Sequence, residues 1–173
     1  MIILFGLAGS GKSTQSEMLA EKLGRVWLSV GQVLRDTGKF TDTLNSGELV
    51  DDNVVIGLMS DKINEAFAGG KDVILDGFPR DAVQAEWVAE NLADKIERAI
   101  YIDVPKEELL NRIKLRGRDD DTDESVKKRF EIVEQNIYTI LSLLEAKNVP
   151  ISHVNGVGAI EEINERLLEQ ING

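Results

Sequence analysis

GLAGSGKST, Gly6–Thr14, is the stretch on which the reading of the chain turns. The apolar run IILF, Ile2–Phe5, leads into it, and a helically patterned stretch, Lys12–Leu23, starts within it. The stretch fits G-x-x-x-x-G-K-[ST], and the strand–loop–helix context separates a true match from a chance one. The glycines let the backbone wrap closely with its N–H groups pointing inward, and the helix start adds the positive end of its dipole. A loop of this kind cradles phosphate. Gly9, Ser10, Gly11, Lys12, Ser13 and Thr14 are therefore the candidate groups for a nucleoside triphosphate. Lys12 is expected to reach the β and γ phosphates, and Ser13 to offer its hydroxyl to Mg²⁺. A merely tight strand-to-helix turn is the competing reading, and the complete motif in its required context weighs against it.

Outward from this loop, short apolar runs alternate with longer helical patterns. Ile2–Phe5, Val26–Ser29, Val73–Leu75, Ala99–Ile102 and Val149–Val154 read as strands. They are rich in Val, Ile and Leu and mostly do not alternate, as expected of strands covered on both faces. Lys12–Leu23, Asn53–Ala68, Ala82–Leu92, Lys106–Leu115, Glu124–Lys147 and Ala159–Ile171 read as helices. Val54, Leu58 and Ile63 are the inward positions expected of the second helix, and Asp121 with Glu124 forms a capping-box pattern before the long one. Strands alternating with helices indicate an α/β domain with a mostly parallel sheet. There is no internal repeat, low-complexity segment or obvious linker.

Composition narrows the function. The 173 residues suffice for one domain with a real core, and 42% of them are hydrophobic. No apolar run approaches the roughly 20 residues of a membrane-spanning helix. MIILFGL is too short, and too soon followed by glycines, to read as a signal peptide. The absence of cysteine excludes disulfides and cysteine-ligated zinc, and the cytoplasm is the expected compartment. A net charge of −11 argues against a nucleic-acid partner, which needs a basic footprint. A phosphate ligand must then be held by local donors, with a divalent cation.

A second motif follows. In VILDGFPRDAVQAE, Val73–Glu86, a strand runs into Asp76, whose carboxylate can hold a metal-bound water, and Gly77-Phe78-Pro79-Arg80 presents one guanidinium group. LDGFPR, taken with the first loop and its GKSTQ ending, resembles the nucleoside monophosphate kinase family, the adenylate kinases in particular, over essentially the whole chain. The resemblance implies a P-loop NTPase fold, a doubly wound five-stranded parallel sheet of order 2-3-1-4-5 flanked by helices. It implies a single kinase domain over 1–173, with a core of 1–29 and 61–173, a helical monophosphate-binding region at 30–60 and a minimal lid near 117–122. The implied activity is reversible transfer from Mg·ATP to AMP, giving two ADP. A UMP/CMP or broad monophosphate kinase is the alternative within the class, and a nucleotide-binding regulatory module with little turnover the alternative outside it. A monomer without nucleic-acid or membrane partners is expected.

Residue by residue, LSVGQVLRD (Leu28–Asp36) looks like the family segment that opens the acceptor site, with Val30 and Gly31 beside the nucleotide and Arg35 on its α-phosphate. SGELVDD (Ser46–Asp52) looks like the segment whose backbone lies along the acceptor base, near Gly47, Leu49 and Val50. Gly77 and Arg80 would meet the acceptor phosphate from the other side, and Gln84 falls where adenylate kinases carry a glutamine that reads adenine. A side-chain amide suits that role because its donor and acceptor lie side by side. In RIKLRGRDDDTDESVKKRF, Arg112–Phe130, the resemblance lays Arg112 along the donor base and brings Arg116, Arg118 and Arg129 onto the phosphates. Arginine suits this work because its planar fork makes two parallel hydrogen bonds to phosphate. Asp120 and Asp121 resemble an acidic pair that helps hold the mobile segment. NGVGA, Asn155–Ala159, resembles the turn whose Gly156 and Val157 meet the donor adenine. Lys12, Arg80, Arg116, Arg118 and Arg129 are thus the expected catalytic groups, and Ser13 and, through water, Asp76 the expected holders of Mg²⁺.

The chain departs from the family most at its lid, where only Gly117 separates Arg116 from Arg118. Ser13 and Ala8 stand where glycine and proline are common, Gln32 replaces a frequent aspartate, and Val30 replaces a threonine common beside the adenine. His153, Trp27 and Trp87 read as packing or edge residues.

Overall fold

The computed structural model describes residues 1–116 and 121–173. Arg118, Asp120, the Arg116 side chain and most of the expected minimal lid lie outside the described residues. Five strands, β1 (Ile2–Phe5), β2 (Val26–Ser29), β3 (Val73–Asp76), β4 (Arg98–Asp103) and β5 (Ile151–Asn155), form one parallel sheet in the order β2-β3-β1-β4-β5. The helices are α1 (Lys12–Leu23), α2 (Val30–Asp36), α3 (Thr41–Ser46), α4 (Asp52–Ala68), α5 (Ala82–Asn91), α6 (Lys106–Arg116), α7 (Asp123–Glu145) and α8 (Ile160–Asn172). This is the parallel α/β sheet expected from the alternating pattern, in the doubly wound order that the family resemblance implies.

Every residue of β1 and β3 is buried, which is why Ile2–Phe5 and Val73–Leu75 read as unbroken apolar runs. Side chains alternate across a strand, so Ile3 and Phe5 face one layer while Ile2 and Leu4 face the other. The first layer packs against Val55, Met59 and Ile63 of α4, Val88 of α5, and Ile137, Ile140 and Leu144 of α7. The second packs against Leu19 of α1 and Ile163 and Leu167 of α8, with Trp27 at its margin. Each such side chain contributes about 1.5–3 kcal/mol of burial. Trp87 packs against Phe78, ring centroids 6.3 Å apart. His153 lies exposed on the edge strand, 3.1 Å from Asp103 Oδ2 and beside Tyr101.

Three local expectations are corrected. Asp51 caps α4, its Oδ1 accepting from Asn53 N and Val54 N, and this sets the helix so that Val55 and Met59 point inward while Val54 is 39% exposed. Thr122, and not Asp121, caps α7: its Oγ1 accepts from Ser125 N at 3.2 Å. Asp121 turns instead to Arg129, whose Nη1 donates to Oδ1 at 3.1 Å, a charge-assisted bond that a neutral cap does not match. β5 starts at Ile151 because Pro150 has no N–H to give the ladder; its carbonyl still accepts from Ala99 N.

The starts of α4 and α5 meet. Asp81 caps α5, its Oδ1 accepting from Gln84 N at 3.0 Å, and the Asp52 carboxyl lies against it. Burial, with the hydrogen bond and repulsion from Asp52, raises the Asp81 pKa from 3.8 to about 6, against the opposing pull of the Gln84 N–H. Folding therefore favours the protonated carboxyl. The contribution is full below the unfolded value and is lost as pH rises through about 6. Asp81→Asn keeps the cap and removes the charge. Melting curves are expected to show this variant about 2–4 °C more stable than the parent at pH 7.5, and no more stable at pH 4. A pH-independent difference would contradict the assignment.

Candidate active site

The sheet register assembles the site. Leu4 of β1 and Ser29 of β2 both pair with Asp76 of β3, so three strands end together at their carboxyl edge. There β1 feeds the phosphate loop and β2 feeds α2, with Asp76 between them, where open α/β sheets hold ligands. The loop needs its glycines. Gly9 has φ 83° and packs so closely on α6 that a Cβ would stand 2.8 Å from Leu109 O. Gly11, also left-handed, caps α1 and accepts from Gln15 N, leaving the helix's first amides directed at the loop. Lys12 Nζ reaches across to Leu7 O at 3.4 Å. Ser10 is buried within the loop and Thr14 is exposed on α1.

Lys12, Ser13, Gly31, Arg35, Gly47, Leu49, Asp76, Gly77, Arg80 and Arg129 line one cleft between the loop, the helices after β2 and the first half of α7. Arg80 Nε donates to Gly77 O at 2.8 Å, which fixes the guanidinium over the carboxyl edge. Arg35 donates weakly to Gln32 Oε1 at 3.4 Å, and Gln32 in turn donates to Asp36. Both guanidinium groups border Gly31, where an added Cβ would lie 3.5 Å from Arg35 Nη1 and 3.7 Å from Arg80 Nη2. Burial pulls the Arg80 pKa below the usual arginine value; Asp76 opposes this, while Arg129 and Arg35 reinforce it. A chain of net charge −11 has therefore gathered cations around one spot, and an anion there relieves their repulsion. Asp76 is 2% exposed, and its Oδ2 has no hydrogen-bond partner among the described residues. A buried carboxylate oxygen left over in the cleft that Ser13 also lines fits a hydrated Mg²⁺, which takes oxygen ligands and keeps its waters.

Other expected residues stand back from the cleft. Val30 and Val50 are buried in the apolar layer below it, Val30 against Gly77. Gln84 is 1% exposed behind Arg80: its Oε1 accepts from Arg80 N and its Nε2 donates to Asp52 Oδ1, both at 2.9 Å. The amide braces the Arg80 turn against α4, and each end keeps capacity for one more bond. At the other end of the sheet Arg112 donates from Nη2 to Gly156 O at 3.1 Å and pairs with Glu108 at 2.7 Å. Val157 is exposed, its N–H held by Asn155 Oδ1.

Two sets of residues escaped the sequence reading. Ile132, Val133, Ile137 and Ile140 of α7 form an apolar wall of the cleft, joined by Leu44 and Glu48; a stripe at helical spacing reads only as core. The turn after β5 is braced by Arg166, which donates from Nη1 to Asn155 O and Val157 O, and by Gln15, whose Nε2 donates to Ile160 O. Asn164 donates to Gln15 Oε1 and accepts from Lys22, so a polar chain, buried at Gln15 and Asn164 and exposed at Lys22, joins the phosphate-loop helix to α8. The GKSTQ ending held the one available signal for Gln15.

Comparison with known proteins agrees with this geometry. Residues 4–149 match the family model described as adenylate kinase. The chain is 32% identical to the adenylate kinase of Stenotrophomonas maltophilia (strain R551-3), covering 99% of each chain. It is 32% identical to that of Bacteroides thetaiotaomicron over 99% of this chain and 97% of the relative. For the Porphyromonas gingivalis enzyme the identity is 35%, over 96% and 92%. A match over most of the sequence, to relatives covered almost end to end and on the expected sheet, shows that the chain belongs to the adenylate kinase family.

Proposed function

We propose that this protein catalyses reversible phosphoryl transfer, Mg·ATP + AMP ⇌ 2 ADP, in the cleft between the phosphate loop and the 30–60 helices. The observation that carries the proposal is the convergence of Lys12, Arg35, Arg80 and Arg129 on one cleft whose floor holds Asp76. A transferring phosphoryl group spreads charge over its equatorial oxygens, so positioning and charge stabilisation provide most of the acceleration. No side-chain base is required, because the acceptor phosphate is already anionic at neutral pH.

Lys12 and the loop amides hold the β and γ phosphates. Arg35 and Arg80 take the acceptor α-phosphate from two sides, and Gln84 lies behind Arg80 toward the acceptor base. Arg129 neutralises charge between the two nucleotides. Arg116 and Arg118, with the start of α7, are assigned to the donor phosphates and a minimal lid through the family resemblance. Arg112, Gly156 and Val157 frame the donor base. Ser13 and, through water, Asp76 would hold Mg²⁺, which neutralises donor charge when bound. The acidic surface supports a protein without nucleic-acid partners. Among the described residues no helix is long and apolar enough to cross a membrane. We place the protein in the cytoplasm as a monomer.

An acceptor panel tests the reading: purified protein with ATP, Mg²⁺ and each nucleoside monophosphate in turn. ADP formation with AMP is expected. Turnover with UMP or CMP alone would move the protein to another branch, and tight ATP binding without turnover would make it a regulatory module. Arg80→Lys keeps the charge and loses the fork; steady-state kinetics should show kcat lower by roughly 10³-fold with ATP binding little changed. Asp76→Asn should raise the Mg²⁺ concentration for half-maximal rate by about tenfold in a metal titration. An unshifted titration would remove Asp76 from the metal's surroundings.

A further inference from the structure

Three contacts tie the end of α3 and the segment that follows it to the first turns of α7. Gly47 has φ 75° and faces the Ser125 backbone so closely that a Cβ would stand 2.7 Å from Ser125 O. Arg129 Nη2 donates to Leu44 O at 3.1 Å. Lys128 Nζ donates to Glu48 Oε1 at 2.7 Å, and Glu48 lines the cleft. Glu48 and Lys128 are outside the set expected to touch either nucleotide. Lys128 nevertheless precedes Arg129 on the same helical turn, and Glu48 lies between Gly47 and Leu49 of the acceptor side. Docking this segment on α7 and setting Arg129 in the cleft are therefore one geometric event.

We propose that Glu48 and Lys128 are positioning residues for phosphoryl transfer. Their ion pair seats the acceptor-side segment on α7 and so aligns Arg129 with the acceptor phosphate. The device suits this chain because Arg116 and Arg118 are separated by a single glycine, which leaves no length there for a long closing segment. The acceptor-side segment closes directly on α7 instead. The proposal rests on the cleft being the transfer site. It adds that acceptor use, and not donor binding, depends on an ion pair at the acceptor-side wall of the cleft.

Charge exchange tests it. Glu48→Lys and Lys128→Glu each place like charges at the contact, and the double variant restores an opposite pair in reverse. Each single change is expected to lower kcat/KM for AMP by about fivefold at low ionic strength, with KM for ATP and the melting temperature unchanged. The double variant should return kcat/KM for AMP to within about twofold of the parent. In 0.5 M salt the single-variant deficits should shrink, since exposed charges are then screened within roughly 4–5 Å. Single variants with parental kinetics, or a double variant that melts like the parent but stays as slow as the singles, would overturn the proposal. AMP-dependent ADP formation by the parent, measured in the same assay, shows separately whether the functional reading itself holds.

Discussion

The backbone path from Phe5 to Lys12 governs the rest of the molecule. A loop can wrap a phosphate only if its amides point inward, and that requires fixed ends. One end is β1, central in the sheet and buried on both faces; the other is α1, pinned by Leu19 and Ala20 to the second apolar layer. Burial of a few aliphatic side chains thus determines where the main-chain donors sit. Register carries the constraint further. Because Leu4 and Ser29 both pair with Asp76, the loop, the carboxylate and the entry to α2 stand side by side without any contact chosen for catalysis alone.

The charge distribution follows from the same placement. The surface is acidic and discourages anions at long range, yet four basic side chains line one cleft. Arg80 is the most constrained of them: Gly77 O holds its Nε, Gln84 holds its backbone N–H, and Asp76 offsets the repulsion from Arg35 and Arg129. A cation so fixed is paired on one side only, which leaves its remaining donors suited to an anion arriving from the cleft. Gln84 appears in two capacities here. By resemblance it faces the acceptor base, and by geometry it links the arginine turn to α4 through Asp52.

Much of this was legible in the sequence because the central strands β1 and β3 are nearly pure aliphatic runs set off by glycines and charges. α1 begins and ends where its pattern does, with Gly24 at its carboxyl end. The misses have local causes. The inward face of α4 shifted because Asp51, one polar residue among several, took the cap. Asp121 lost the α7 cap because an arginine a full eight residues on offered it a charged partner, a tertiary contact no local pattern contains. α2 and α3 are short and weakly patterned, and only the resemblance announced a helical region there. The cleft's α7 wall was indistinguishable from core, since Ile137 and Ile140 belong to both. The braces of the turn after β5 join residues from opposite ends of the chain, which spacing cannot reveal.

Those braces set the two halves of the cleft apart mechanically. The Gln15–Asn164 amide pair is sheltered inside the protein, where ions do not reach and its hydrogen bond keeps its strength. The opposite rim is tethered in part by charges that stand in water. The molecule therefore has one jaw fastened from within and one held by solvent-sensitive threads. Dissolved electrolyte becomes a natural tuner of its stiffness, loosening one jaw while the other keeps its grip.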